Sequence, residues 1–400
     1  MDDLRQHLRE LPCGRRLLDA AAGMDGVYLV GGAVRDLLLG RTPRELDVAV
    51  DGDVGVLALR LGAASGHVAH ERFGTVTVRS GECRWDLAAT REETYKRPGA
   101  LPDVHRAGIS RDLQRRDVTV NAFALKLSDG AVRAAEHAHE DLGAGRLRVL
   151  HEASFADDPT RLWRVARYAA RLGFTLEEHT AQLAREAVRG GAPDTVSATR
   201  LGNELRLALG EPDPVAALGA AVALGLSPWL APDRALTERA LELLPVGEGR
   251  RDLLVLAASL ATPADELLAD LQFTAAERAI VRACRETPAL DGAPASRLPS
   301  ELARELRGRP PEAVALAGAR DAGAAGAVGA AVARRWLEEL RHVGLQITGD
   351  DLRAAGIAEG PDLGRRLQAV LDLRLDGAVG ADREAQLAAA LALEPGAETT

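Results

Sequence analysis

Near residue 155 the hydrophobic pattern of this chain changes period, and that change constrains its architecture more than any other feature. From about residue 25 to 130, short runs (VYLV, LDVAV, GTVTV, RWDLAA, VNAFAL) are separated by glycines and charged clusters. That is the pattern of short strands joined by turns. GGAVRDLLLG, after the first run, reads as a helix. From about residue 155 onward, apolar positions recur at helical spacing in DDPTRLWRVARYAARLGF, EEHTAQLAREAV, SATRLGNELRLALG and DPVAALGAAVALG. Gly173 and Gly210 fall where helix C-caps belong. Connectors such as GGAPD, LDGAPAS and RGRPP divide the helices. The run AVALAGARDAGAAGAVGAAVARRW reads as a helix or a helix pair interrupted by glycines, and no solenoid repeat is present. The expected fold class is α+β: an N-terminal α/β head followed by a long all-helical body.

Composition narrows the classes. A chain of 400 residues implies two to four domains. Aromatics are only 3%, so the cores must be mostly Leu, Val and Ala. No apolar run approaches the roughly 20 residues of a membrane span, and the charged N-terminus has no leader-like apolar core. Cys13, Cys83 and Cys284 form no CxxC pair. Their isolation argues against a zinc site or a disulfide framework and fits a reducing cytoplasm. A net charge of −9 argues against a surface coated in nucleic acid, but only a local basic stripe has to face phosphate.

Chemistry concentrates in VYLVGGAVRDLLLGRTPRELDVAVDGD, which begins at Val27. If ELDVAV is a strand, Glu45 and Asp47 share one face, with Leu46 and Val48 on the other. Two carboxylates on one face repel, so the arrangement calls for a cation or solvent. Mg²⁺ accepts carboxylate oxygens and keeps positions open for substrate phosphates, and a pair of such ions about 4 Å apart clamps the attacking and leaving oxygens. Alone, ELD also reads as the charged edge of an ordinary strand. A strand, then Gly31-Gly32, then a helix start lets backbone N–H groups approach an anion, with Arg35 in the first turn to fork onto phosphate. Alone, this is a turn. Together, phosphate donors beside a metal-type acid pair point to transfer of a nucleotidyl or phosphoryl group. Asp86, in RWDLAAT, is a possible third acid or a surface strand acid.

In DDPTRLWRVAR, Pro159 suits a helix start, with Asp157 or Asp158 as cap. Arg161, Arg164 and Arg167 recur every three residues on one helix face. On its own this is a capped amphipathic helix with a basic stripe.

In combination these motifs resemble the class II CCA-adding tRNA nucleotidyltransferase and bacterial poly(A) polymerase family. LVGGAVRDLLLG…ELDVAV resembles its head signature, with Glu45 where the first metal acid is normally Asp. DLQRRDVTVNAFAL is similar to its RRD segment, and DLGAGRLRVLHEASFADDPTRLWRVARYAARLGF to the blocks that follow. VSATRLGNELRLAL and ITGDDLRAAGIAEGPDLGRRLQAVLDLRLDG are similar to a later helix and to the tail. The resemblance covers most of the chain, with the motifs in order.

It implies a polymerase β-like head over residues 1–140, a base-recognising helical neck over 141–210, a helical body over 211–300 and a tRNA-binding helical tail over 301–400. It implies Mg²⁺ on Glu45 and Asp47. It implies CTP and ATP held by Gly32, Arg35, Arg115, Arg164 and Arg167, and read by Asp158 and Arg161. Asp offers only acceptors and Arg only donors, so the pair suits cytosine or adenine and leaves the carbonyl of uracil or guanine facing an acceptor. Asp117 would brace the site, and Asn121 would contact ribose or phosphate. TREETYKRPGALPDVHRAGISRDL reads as a mobile loop, which in the family helps to switch from CTP to ATP. It shows no gross deletion, which favours full CCA addition. The implied partner is tRNA, gripped by shape and backbone charge, with no membrane and no stable protein partner. CC-adding, A-adding and poly(A)-polymerising enzymes share these motifs, and a catalytically inactive RNA-binding homologue would keep the fold.

Overall fold

The computed structural model describes residues 4–62, 67–70, 74–290, 297–321 and 323–394. The chain forms two compact units, Met1–Pro228 and Trp229–Thr400.

The first unit is built on a mixed sheet. Its strands are β1 (Val27–Val30), β2 (Leu46–Val50), β3 (His67–His70), β4 (Thr75–Ser80) and β5 (Cys83–Ala89). After the two-stranded ribbon β6 (Arg91–Thr94) and β7 (Asp103–Arg106) come β8 (Phe123–Lys126) and β9 (Val132–Ala134). The sheet order is β3-β4-β5-β2-β1-β8-β9, with β2 parallel to β5 and every other neighbour antiparallel. The interior strand β1 is buried at all four positions, which explains its unbroken apolar run.

Alternation sorts the two faces. Val27, Leu29, Val48, Val50 and Leu87 join a core with α1 (Leu4–Glu10), α2 (Pro12–Ala20), α3 (Gly32–Leu38) and α4 (Val54–Arg60). Tyr28, Val30, Ala49 and Ala124 pack on the other face against Ile109 and Leu113 of α5 (Ile109–Gln114). Asp47 shares that second face with Ala49, so the sheet delivers it to the side where α5 and the following arginines lie.

The helical part of this unit comprises α6 (Ala138–Ala144), α7 (Ser154–Asp157), α8 (Thr160–Leu172), α9 (Glu178–Arg189), α10 (Ala198–Leu209) and α11 (Pro214–Ala223), with the short parallel pair β10 (Arg146–Leu147) and β11 (Thr175–Leu176). Helix α8 buries Leu162, Val165, Ala166 and Tyr168 and packs on α10 and α11. It ends at Gly173 in the left-handed conformation, φ 70°, as a glycine C-cap does. Gly210 also closes a helix, but with φ −85°.

The second unit is all-helical: α12 (Arg234–Leu243), α13 (Arg251–Ser259), α14 (Asp265–Asp270), α15 (Ala275–Glu286), α16 (Pro299–Leu306), α17 (Pro311–Ala319), α18 (Gly323–Glu338), α19 (Gly349–Ala354), α20 (Pro361–Leu375) and α21 (Arg383–Ala392). Helix α17 packs on α12, α13, α15 and α18. It is buried along its length, so its uniformly apolar sequence is that of a central helix. The Ala-rich run is thus the helix pair α17–α18. A smaller core of Ile347, Leu352, Val370 and Ala390 unites α19–α21. No helix among the described residues is long and apolar enough to cross a membrane.

Three expectations change. Cys13 and Cys83 are joined in a disulfide, with Cα atoms 5.4 Å apart. Their 70-residue separation left no local motif, and it is the packing of α2 beside β5 that brings them together. Among the described cysteines only Cys284 is free. The stretch after β5 is not a loose loop. Its ends pair as β6 and β7, and its tip is bonded through Gly99 N–H to the Ala156 carbonyl at 3.2 Å. Its charged side chains hid the strand pattern. VNAFAL is a strand only from Phe123, because Thr119–Asn121 forms a 3₁₀ turn.

Candidate active site

One cleft of about 920 Å³ in the first unit is lined by Gly32, Glu45, Asp47, Arg115, Asp158 and Arg161, among others. The sequence candidates Arg35, Arg164 and Arg167 also line it. Asp86 does not; it lies in a neighbouring hollow that shares Asp47, Arg115 and Arg116.

Strand β1 delivers the chain to Gly31, at φ 71°, a conformation glycine adopts without strain. Its N–H bonds the Phe123 carbonyl at 3.1 Å, and a Cβ there would meet Arg116 at 2.9 Å. Helix α3 then starts at Gly32. Arg35, in its first turn, is only 3% exposed. It donates to Asp36 Oδ1 at 2.7 and 2.9 Å and to Asn121 Oδ1 at 2.5 Å. Its guanidinium therefore braces the Gly-Gly turn against the RRD segment at the wall of the cleft.

Glu45 precedes β2 and is exposed, while Asp47 lies one residue inside the strand and is half-buried. The strand begins one residue later than ELDVAV suggested, so Glu45 stands just outside it, and both acids line the cleft. Asp47 pairs in register with Asp86 across the parallel strands β2 and β5. Burial first, and then the charges of Glu45 and Asp86, push the Asp47 carboxyl up to about 6 against the pull of Arg116 and Arg84. Asp86 is already served: it accepts from Thr77 Oγ1 at 2.5 Å and pairs with Arg84 at 2.8 Å. No three His, Cys, Asp or Glu side chains among the described residues form a metal cage. What remains is a two-carboxylate site with excess negative charge beside a cleft roomy enough for a nucleoside triphosphate. That donor set fits Mg²⁺, which keeps several waters and shares itself with substrate phosphates.

The RRD segment follows α5. Arg115 donates to Asp112 Oδ1 at 2.8 Å and to Glu93 Oε1 at 3.0 Å. Arg116 donates to Asp112 Oδ2 at 2.9 Å, while its Nε is buried without a partner. Tyr95 donates to Glu93 at 3.0 Å; burial, then the Glu93 charge, pushes its phenol up to about 12. Asp117 is the hub beneath the cleft. Its Oδ2 accepts from Arg164 Nε at 2.8 Å and Tyr168 at 2.9 Å, and its Oδ1 from Asn121 at 3.2 Å. Burial opposes its ionisation, yet the Arg164 charge and these hydrogen bonds hold its carboxyl well below the usual range.

Asp158 does double duty. Its Oδ1 accepts from the Thr160 N–H at 3.1 Å and hydroxyl at 2.7 Å, opening α8. The same oxygen takes Arg200 at 2.7 Å. Arg161 is 4% exposed. It donates to Ser154 Oγ at 2.8 Å and to the Arg115 carbonyl at 2.7 Å, tying α8 to the RRD segment. Arg167 is spent on Glu204 at 2.9 Å and Glu211 at 3.0 Å, so it braces the helices. Arg164, bound to Asp117, keeps its side chain 41% exposed.

Reading the sequence missed Arg116, Glu93 and Arg200. The doubled Arg of RRD was a signal for Arg116. The spacing of Arg200 and Glu204, four apart on one helix, was a signal for Arg200. Nothing local marked Glu93.

A Gly-Gly turn feeding a helix, a pair of acids at the head of the neighbouring strand and an arginine-lined cleft are the parts of a nucleotidyltransferase head. Residues 27–148 match the poly A polymerase head domain. The chain is 43% identical over 227 residues to an A-adding tRNA nucleotidyltransferase of Geobacter sulfurreducens, covering 54% of this chain and 26% of the relative. It is 40% identical over 204 residues to a CC-adding tRNA nucleotidyltransferase of Deinococcus radiodurans, covering 49% and 54%. Its fold is similar to that of the Thermotoga maritima CCA-adding enzyme complexed with tRNA, with a TM-score of 0.72 at 27% identity over 94% of both chains. Residues 27–148 thus carry a poly A polymerase head domain, and the sequence match spans about a quarter to a half of the curated relatives' length.

Proposed function

We propose that the chain is a tRNA nucleotidyltransferase that adds C, C and A to the tRNA 3′ end without a nucleic-acid template. The observation that supports this reading is the sharing of one cleft by the acids Glu45 and Asp47 and the Asp158–Arg161 pair. In the proposed reaction the tRNA 3′-hydroxyl attacks the α-phosphate of CTP twice and of ATP once, and pyrophosphate leaves each time. Glu45 and Asp47 would hold Mg²⁺, which when bound supplies charge to the triphosphate and to the attacking oxygen.

The chain's own residues then do the rest. Gly32 admits the triphosphate close to the backbone, and Arg115 and Arg164 face it across the cleft. With Asp158 Oδ1 occupied, Oδ2 is the acceptor for the amino group of cytosine or adenine. The Arg161 guanidinium has five donors in all, enough to serve a ring nitrogen as well as Ser154 and the Arg115 carbonyl. Residues 1–140 do the chemistry, residues 141–210 read the base, and residues 211–300 and 301–400 hold the tRNA. The proposed setting is the cytoplasm.

The activities named for the two relatives favour a second reading, in which the chain adds only A or only CC. One experiment separates these readings. Purified protein is incubated with tRNAs ending before the first C, after CC and after CCA, with each nucleoside triphosphate alone, and the products are sequenced. Extension of all short ends to CCA supports the first reading. Arrest at CC, or extension only of CC ends, selects the second. No extension of any tRNA end overturns both.

A further inference from the structure

The second unit holds a cavity of about 360 Å³ that neither the active-site cleft nor the reaction uses. It lies among the segment after α16, the end of α18 with the following 3₁₀ turn, and α20. Arg307, Arg309 and Arg341 supply its charge; Trp336, Leu340 and Leu371 supply an apolar wall; and no carboxylate lines it.

Other arginines on these helices are spent on acids, as Arg304 is on Asp372 at 2.9 Å and Arg366 on Asp362 at 2.6 Å. The cavity arginines differ. Arg341 is anchored, donating to the Leu337 carbonyl at 2.6 Å and to Glu248 at 2.5 Å. Arg307 makes a single long contact, 3.5 Å to Gln368 Oε1. The Arg309 side chain makes no hydrogen bond or ion pair with the described residues. Arg334 and Arg335, exposed on the last turns of α18, make none either.

In a chain of net charge −9, two guanidiniums without a carboxylate partner, Arg307 and Arg309, at one hollow are a local potential that attracts anions. Guanidinium suits phosphate geometry, and the volume falls within the range of about 300–1,000 Å³ typical of ligand pockets. Cations at the rim over an apolar wall match a phosphate with a ring attached. We propose that this cavity holds one nucleotide of a bound RNA strand, an inference that rests on the tRNA reading above. The phosphodiester meets Arg307 and Arg309, and the base or ribose lies against Leu340 and Leu371.

The experiment compares the full chain with Arg309→Glu, Arg309→Lys and Arg307→Glu, all changes at incompletely buried positions. Binding of a fluorescent tRNA lacking its 3′ CCA is measured across a salt series, beside the KM for CTP at saturating tRNA. Arg309→Glu and Arg307→Glu each weaken tRNA binding about tenfold and lower the salt slope by about one. Arg309→Lys retains most of the affinity, and the KM for CTP stays put. Unchanged tRNA affinity and salt slope in both Glu variants overturns the site while leaving the enzyme reading intact. A wild-type chain that binds no tRNA overturns both. A parallel titration with AMP distinguishes the ligand source: AMP binding lost in Arg309→Glu, with tRNA binding unmoved, makes this a mononucleotide site and overturns the RNA assignment.

Discussion

Asp47 and Asp86 stand opposite each other in register on the parallel strands β2 and β5, and only Asp86 has its charge balanced by an arginine within 3 Å. Burial first, and then the Glu45 and Asp86 charges, raise the Asp47 carboxyl to about 6. Without metal, the folded chain binds more protons than the unfolded chain between about pH 4 and 6, so this group's contribution to stability declines as pH rises through that window. Asp47→Asn should therefore raise the Tm of the metal-free protein at pH 8, by the equivalent of about 1–2 kcal/mol, while nucleotide incorporation falls by orders of magnitude. Calorimetry with EDTA and a single-turnover assay measure the two effects. A lower Tm would show that Asp47 is not repelled.

The same shift sets a pH dependence. A divalent ion needs the ionised carboxylate, so the apparent Mg²⁺ affinity should weaken as pH falls below about 6, with a slope approaching one proton. Glu45→Asp shortens the exposed partner acid and should keep or raise activity. Loss of activity in that variant would mean the site is matched to the longer side chain.

Arg200 bonds both Asp158 Oδ1, at 2.7 Å, and the carbonyl of Gly99, at 3.1 Å. It thus couples the tip of the β6–β7 ribbon to the proposed base reader. Asp158→Ala should make UTP and GTP relatively better substrates, by about one to two decades, since each hydrogen bond to a charged group contributes roughly 1.5–3 kcal/mol. Arg200→Ala should alter the ratio of CTP to ATP use more than it alters tRNA affinity, with partial rescue by Lys. Slower turnover at unchanged selectivity would reduce both residues to helix braces.

Asp117→Asn should cost about 1–3 kcal/mol of stability, because it weakens the bonds to a buried carboxylate and leaves the partly exposed Arg164 without its counter-ion. The wild-type contribution is fully present above the ordinary carboxylate pKa and declines steadily as pH falls from there toward the depressed folded value, the direction for a depressed acid. Urea unfolding at pH 7 and pH 3 tests both statements. An equal cost at both pH values would show that the loss is packing rather than charge.

Reducing Cys13–Cys83 should lower stability by about 2–4 kcal/mol, the range for a bridge that closes a long loop. Cys13→Ser should reproduce the loss and abolish any further effect of reductant. Equal urea midpoints with and without dithiothreitol would mean that the thiols do not pair in solution.

Much of this architecture was readable because patterns are local. The run Val27–Val30 and the Gly-Gly turn announced β1 and α3, and the capped start and glycine end of α8 stood in the sequence almost unaltered. The pair Asp158 and Arg161 was likewise found, and both residues do line the cleft. What escaped notice depends on distance in the fold. Arg167 read as a free cation because its partners, Glu204 and Glu211, come from elsewhere in the chain, and so does the Asn121 that shares Arg35 with the adjacent Asp36. The ribbon β6–β7 was hidden because its residues are polar on both faces, leaving no alternation. The disulfide was hidden because two cysteines 70 residues apart carry no spacing signal.

That disulfide closes a covalent ring around Gly32, Arg35, Glu45 and Asp47, and leaves Asp86, Arg115, Asp158 and Arg161 outside it. In the oxidised chain a single peptide-bond cut anywhere from residue 14 to residue 82 yields no separable fragment. The acid pair stays tethered to the rest of the cleft, and only cutting followed by reduction lets the halves part. On a denaturing gel the nicked protein should run as one band without thiol and as two with it.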